Sequence, residues 1–157
     1  MQAMTFTTSL VPVARDRVLL PVPFDPDAVW GARSRHHVAG TVNGIRFRGV
    51  IETVSGQRGL LLGPAWRRDG GLDAGDAVTV ELAPEGPQRS ELPADLATAL
   101  DANPTAGEFF DSLAQFYRKG YLTWIDATRR NPGRRAERIA VVVQLLADGR
   151  RTRPRQE

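Results

Sequence analysis

The chain has 157 residues, 41% hydrophobic and 25% charged, with 21 basic and 18 acidic side chains, a formal charge of +3 and no cysteine. A chain of this length can bury one sizeable core or two small ones. The lack of cysteine excludes disulfides and thiolate metal sites, and no apolar run approaches the roughly 18 residues of a membrane span.

The first residues, MQAMTFTTSLVPVARD, carry neither a basic start nor a sustained apolar stretch, so no signal peptide is predicted and a cytoplasmic location is expected. From there to residue 83 the chain reads as six short strands separated by turns. Residues 5–11 and 17–22 are rich in β-formers and are broken by Pro12 and Pro21. Residues 24–30 have room for one helical turn. Residues 36–42 and 45–54 flank Asn43-Gly44, a strong hairpin signal because both positions tolerate the positive φ of a tight turn. Residues 59–62 and 77–82 complete the set, with PAWRRDGG (64–71) as a turn or short helix between them.

A two-residue loop at Asn43-Gly44 fixes a register. Val42 faces Ile45, Gly40 faces Phe47, Val38 faces Gly49 and His36 faces Ile51, and this face points inward. Thr41 with Arg46, Ala39 with Arg48 and Arg35 with Glu52 form the wet face. Six short alternating strands predict a small closed six-stranded β-barrel, because closure removes exposed edges.

Residues 83–90, APEGPQRS, read as a linker, and beyond them the period becomes helical. Leu92, Leu96 and Leu100 recur at i, i+4 and i+8. Asn103-Pro104 marks a second helix start, with a capping oxygen followed by a proline whose missing N–H costs nothing there. Residues 114–129 follow, with Phe116, Tyr117, Gly120, Tyr121, Trp124, Ile125 and Thr128 on one broad face. Gly120 costs about 1 kcal/mol against alanine in a helix, which predicts close approach by a neighbouring helix. After Asn131-Pro132 a last helix, 134–147, turns Ala136, Ile139, Val143 and Leu146 inward. The fold class is thus α+β: a barrel over 5–83, a helical domain over 91–148, and a basic tail over 149–157 too polar to pack and expected to be disordered.

The α half resembles the YdeI/OmpD-associated, or bacteriocin-protection, family through Leu92-Pro93, Phe110-Asp111, Tyr121, Trp124-Ile125, Ala127, Arg135 and Arg138-Ile139. The β half resembles domain of unknown function 1905 through GTVNGIRFRG (40–49) and LDAGDAVTVEL (72–82). The resemblance implies a barrel followed by helices and no established chemistry. It also implies a threonine opening the arginine-rich helix, where this chain has Arg134, so Asn131 becomes the expected cap.

Charge is uneven: residues 1–83 balance at +1, 84–112 at −5 and 113–157 at +7. Arg129, Arg130, Arg134, Arg135 and Arg138 form a dense cluster. Guanidinium forks grip paired oxygens, so the cluster is a candidate anion site. The competing reading pairs these arginines with the acidic stretch 91–111. Tyr117, Tyr121 and Trp124 would serve as stacking platforms for nucleic acid, but they lie on the apolar face and are assigned to packing. Trp30, Trp66 and His36 are candidates for a barrel pocket.

No serine–histidine–acid order, Walker loop, HExxH or GxGxxG motif is present, and His36 and His37 are too close to build a metal cluster. No catalytic residue, metal or cofactor is predicted, and whether any catalysis occurs is left open with the balance against it. The expected role is a non-catalytic binding or adaptor protein of bacterial stress or envelope resistance, engaging an anionic ligand or protein partner. The alternatives are a nucleic-acid-binding accessory protein and a small-ligand binder or enzyme using the barrel pocket.

Overall fold

A computed structural model describes residues 2–154. The chain divides between Pro84 and Glu85 into two compact units, the first of strands and the second of helices.

The first unit holds β1 (Met4–Ser9), β2 (Val11–Val13), β3 (Arg17–Pro21), β4 (His37–Val42), β5 (Ile45–Val50), β6 (Glu52–Val54), β7 (Gln57–Leu62) and β8 (Ala77–Pro84), with short helices α1 (Pro26–Trp30) and α2 (Pro64–Gly70). These strands do not close. They form two four-stranded sheets of order β1-β8-β4-β5 and β2-β3-β7-β6, antiparallel in every pairing, and this overturns the six-stranded barrel.

The physical reason lies in two bends. Residues 5–11, expected as one strand, turn at Leu10, whose N–H bonds Asp76 O at 2.9 Å while its carbonyl accepts from Gly75 N at 2.8 Å. Residues 45–54 turn at Ile51, whose N–H reaches His36 O at 3.0 Å. Each bend hands the chain from one sheet to the other, which makes eight strands of six and produces corners instead of closure. The apolar faces of both sheets supply one core, including Val18, Leu20 and Leu60 from one and Val38, Val80 and Leu82 from the other.

The Asn43-Gly44 hairpin has the expected register from Val42↔Ile45 to Val38↔Gly49. Asn43 (φ +49°) and Gly44 (φ +81°) both adopt positive φ, the signature of a type I′ turn. The Asn43 side chain then accepts from Thr79 N at 2.9 Å, which ties the turn to β8.

In the second unit α3 (Ala94–Asp101), α4 (Pro104–Asp111), α5 (Gln115–Asp126) and α6 (Pro132–Ala147) surround a core of Leu96, Leu100, Phe110, Ile125, Val142 and Leu146. Asn103 and Asn131 cap α4 and α6 by accepting from Ala106 N and Arg134 N at 3.2 and 3.1 Å. Gly149 (φ +73°) ends α6, and Arg150 N–H returns to Leu145 O at 2.9 Å. Of the tail 149–157, residues 155–157 lie outside the described residues.

Candidate functional site

The arginine cluster spans the turn between α5 and α6 and the first turns of α6, and the structure divides it. Arg135 points back to α3: its Nε and Nη2 lie 2.6 and 3.0 Å from the two oxygens of Asp95, and its Nη1 lies 3.3 Å from Asp126. That grip holds the Asp95 carboxyl below its ordinary range, and the same pairing raises the Arg135 guanidinium above its own. Arg138 donates from Nη1 to Trp124 O at 2.7 Å and lies over the Trp124 ring at 4.6 Å. Arg129, Arg130 and Arg134 are exposed and hold no ion pair among the described residues.

The acidic stretch is neutralised from a second direction. Arg89 forks onto Asp111 with bonds of 3.0 and 2.9 Å and reaches Asp101 at 3.1 Å. Desolvation opposes its charge, yet Asp111, followed by Asp101, raises its pKa. Asp95, Asp101 and Asp111 therefore answer Arg89 and Arg135, and the three exposed arginines keep their charge uncompensated by them.

One arginine of structural weight lies outside the predicted cluster. Arg118 is 1% exposed; it donates to the carbonyls of Leu113 (2.9 Å), Pro87 (2.9 Å) and Asp111 (2.8 Å) and sits over the Phe110 ring at 5.0 Å. Its signal was periodic: Arg118, Tyr121, Ile125 and Thr128 recur at helical spacing and are the buried stripe of this segment. The broad aromatic face is corrected at two positions only: Phe116 is 74% exposed and a Cβ added to Gly120 would meet nothing within 4 Å, while Tyr121 is buried in the helical core and Tyr117 and Trp124, half-buried, pack against it. No neighbouring helix explains that glycine.

In the first unit Trp30 and His36 come together, with rings 6.3 Å apart, while Trp66 packs edge-on against Phe47 at 5.4 Å. Trp30 donates Nε1–H to Gln2 O at 2.9 Å, and Trp66 donates to Arg46 O at 3.0 Å. His36 Nε2 lies 2.5 Å from Asp27 Oδ1, a link between α1 and the entry to β4. The His36 hydrogen bond, with the Arg33 backbone N–H second, holds the Asp27 carboxyl below its ordinary range. Trp66 borders a shallow depression of about 390 Å³ with Phe47 and Arg46. Among the described residues no group of three or more histidines and carboxylates could hold a metal, and no helix is long and apolar enough to cross a membrane.

Comparison with known families matches residues 89–149 to the family described as Bacteriocin-protection, YdeI or OmpD-Associated, and residues 6–82 to a domain of unknown function, DUF1905. A comparison with curated proteins gives no match. The motif residues Phe110-Asp111, Trp124-Ile125 and Arg138-Ile139 all lie within the first match and build its core and its arginine surface. Residues 89–149 therefore match the bacteriocin-protection, YdeI or OmpD-associated family, and residues 6–82, before them, match DUF1905.

Proposed function

We propose that this protein is a non-catalytic, cytoplasmic binding or adaptor protein, of the bacterial stress or envelope-resistance kind that the family's name suggests, and that it meets an acidic protein partner through Arg129, Arg130 and Arg134. What carries the reading is the division within the cluster. Arg135 and Arg138 are committed to Asp95, Asp126 and Trp124, whereas their three neighbours are exposed without an ion pair among the described residues. Like charges crowded at the start of a helix repel one another and oppose the helix dipole, and an incoming carboxylate relieves both. A surface of this kind gives specificity and association rate more than raw affinity.

The test is binding of poly-glutamate to the full chain across a salt series. The reading expects saturable binding that weakens with salt and falls at least about tenfold in the R129A/R130A/R134A variant. Stronger, salt-dependent binding of a DNA duplex or single strand through the same arginines would favour the nucleic-acid reading instead. Poly-glutamate binding that ignores the triple substitution would overturn the proposal.

A further inference from the structure

The face of α5 around the exposed Phe116 and Gly120 forms the wall of a second feature. Residues 151–154 run past it and enclose a groove of about 450 Å³, lined by Phe116, Tyr117, Gly120, Tyr121, Arg151 and Arg153 among others. Small-molecule sites commonly span roughly 300–1,000 Å³.

We propose that this groove binds a small aromatic anion, a flat ring bearing a carboxylate or a phosphate. Four observations converge on that chemistry. Phe116 is 74% exposed and is braced edge-on by Tyr117, with ring centroids 5.3 Å apart, so one aromatic face is left open at the groove. A flat ring stacked there covers apolar surface that water now wets. Gly120 keeps the floor clear, since a side chain at that position would project into open space.

The charge is as specific as the apolar surface. Arg151 lies over Tyr117 at 5.2 Å and Arg153 over Trp124 at 4.5 Å, and neither holds an ion pair among the described residues. A guanidinium stacked on a ring uses its face and keeps the in-plane N–H groups for an anion. Arg138 is over the same Trp124 ring at 4.6 Å, so two cations share one indole, and their mutual repulsion favours a negative group nearby. The Tyr121 hydroxyl donates to Arg150 O at 2.6 Å, which anchors the tail that carries both arginines. This site shares no residue with the Arg129, Arg130 and Arg134 surface.

Titration calorimetry on the full chain, with naphthoate, adenosine monophosphate, adenosine and inorganic phosphate as separate probes, decides the matter. At least one of the two aromatic anions should bind about tenfold or more tightly than both adenosine and phosphate. Naphthoate alone would identify a carboxylate ligand, and adenosine monophosphate alone a phosphate ligand. R151A/R153A should weaken that binding at least about tenfold and F116A several-fold, whereas R129A/R130A/R134A should leave it unchanged. The proposal is overturned if neither aromatic anion exceeds the neutral and inorganic probes. It is overturned equally if binding survives R151A/R153A or F116A intact, or is lost in R129A/R130A/R134A.

Discussion

Arg135 lays its guanidinium fork on Asp95 across 40 residues of chain, with Nε–Oδ2 at 2.6 Å and Nη2–Oδ1 at 3.0 Å. The pair joins the start of α6 to the start of α3, and it settles which member of the arginine cluster the acidic stretch claims. It also makes a statement about acid stability. The Asp95 carboxyl is held below its ordinary value of 3.8, chiefly by the hydrogen bonds from Arg135. A carboxyl whose folded pKa is depressed contributes stability that is complete above its unfolded pKa and disappears as pH falls through the folded one.

Asp95→Asn should therefore destabilise the protein at neutral pH and cease to matter in acid. The Asp95 side chain is 48% exposed, so water screens the pair and the neutral-pH cost should be about 0.5–1 kcal/mol. Urea midpoints of the two proteins, compared from about pH 7 down to about pH 2, should converge once the pH passes well below 3.8. A gap that stays constant to the acid end would mean that packing, not charge, explains the site.

Arg118 gives a larger and pH-insensitive effect. Its side chain closes three carbonyls from separate places, Pro87, Asp111 and Leu113, in a buried position. Arg118→Ala leaves those oxygens without their donor and should cost about 3–5 kcal/mol by chemical denaturation. Arg118→Lys should recover only a minor part, because one ammonium cannot reproduce a planar fork reaching three acceptors. A cost under about 1 kcal/mol for the alanine variant would show that water replaces the guanidinium.

What could be read from the residues alone was whatever local chemistry dictates. Asn43-Gly44 announces its turn, and a period of two carries the register outward to Val38↔Gly49. The hairpins at Arg15-Asp16 and Ser55-Gly56 use the same positive φ, at 67° and 55° and at 50° and 78°, but arginine, aspartate and serine do not advertise it as asparagine–glycine does. The bends at Leu10 and Ile51 depend on which sheet each half of a strand joins. That is a long-range outcome which alternation cannot encode, and so a barrel was expected where two sheets stand.

The same limit governs the candidate site. Charge totals showed that the acidic stretch and the arginines could answer each other, but not that Asp95 would select Arg135 and Arg89 would hold Asp111. On α5, hydrophobicity pointed to Phe116 as core and passed over Arg118. The helical spacing of Arg118, Tyr121, Ile125 and Thr128 held the right answer, because a long amphipathic side chain can be buried when carbonyls meet its head. Trp30, His36 and Trp66 were candidates for a barrel pocket; Trp30 and His36 lie together, while Trp66 packs on Phe47.

Gly40 is a glycine that the first unit cannot replace. It sits in β4 between Phe47 of β5 and Leu82 of β8, and an added Cβ would stand 1.8 Å from Glu81 O and 2.8 Å from Glu81 C. Those are backbone atoms of a paired strand and cannot rotate away, so relief requires moving β8 itself. Gly40→Ala should cost about 3 kcal/mol or more, read as a lowered melting temperature or loss of folded protein. Near-normal stability would mean that the β4–β8 ladder has slack which its bonding does not suggest.

Gly120 makes the opposite case. It lies inside α5, where glycine is about 1 kcal/mol poorer than alanine, and a Cβ there would meet nothing within 4 Å. Gly120→Ala should therefore stabilise the protein by up to about 1 kcal/mol, measured as a rise in the urea midpoint with no change in slope. The added methyl would also enter the floor of the groove beside Phe116 and Tyr121. The variant should accordingly bind the aromatic anion more weakly than the parent while unfolding later. Stability and binding that rose together would show that Gly120 guards nothing, and an unchanged midpoint would show that α5 is not limited by its own helix propensity.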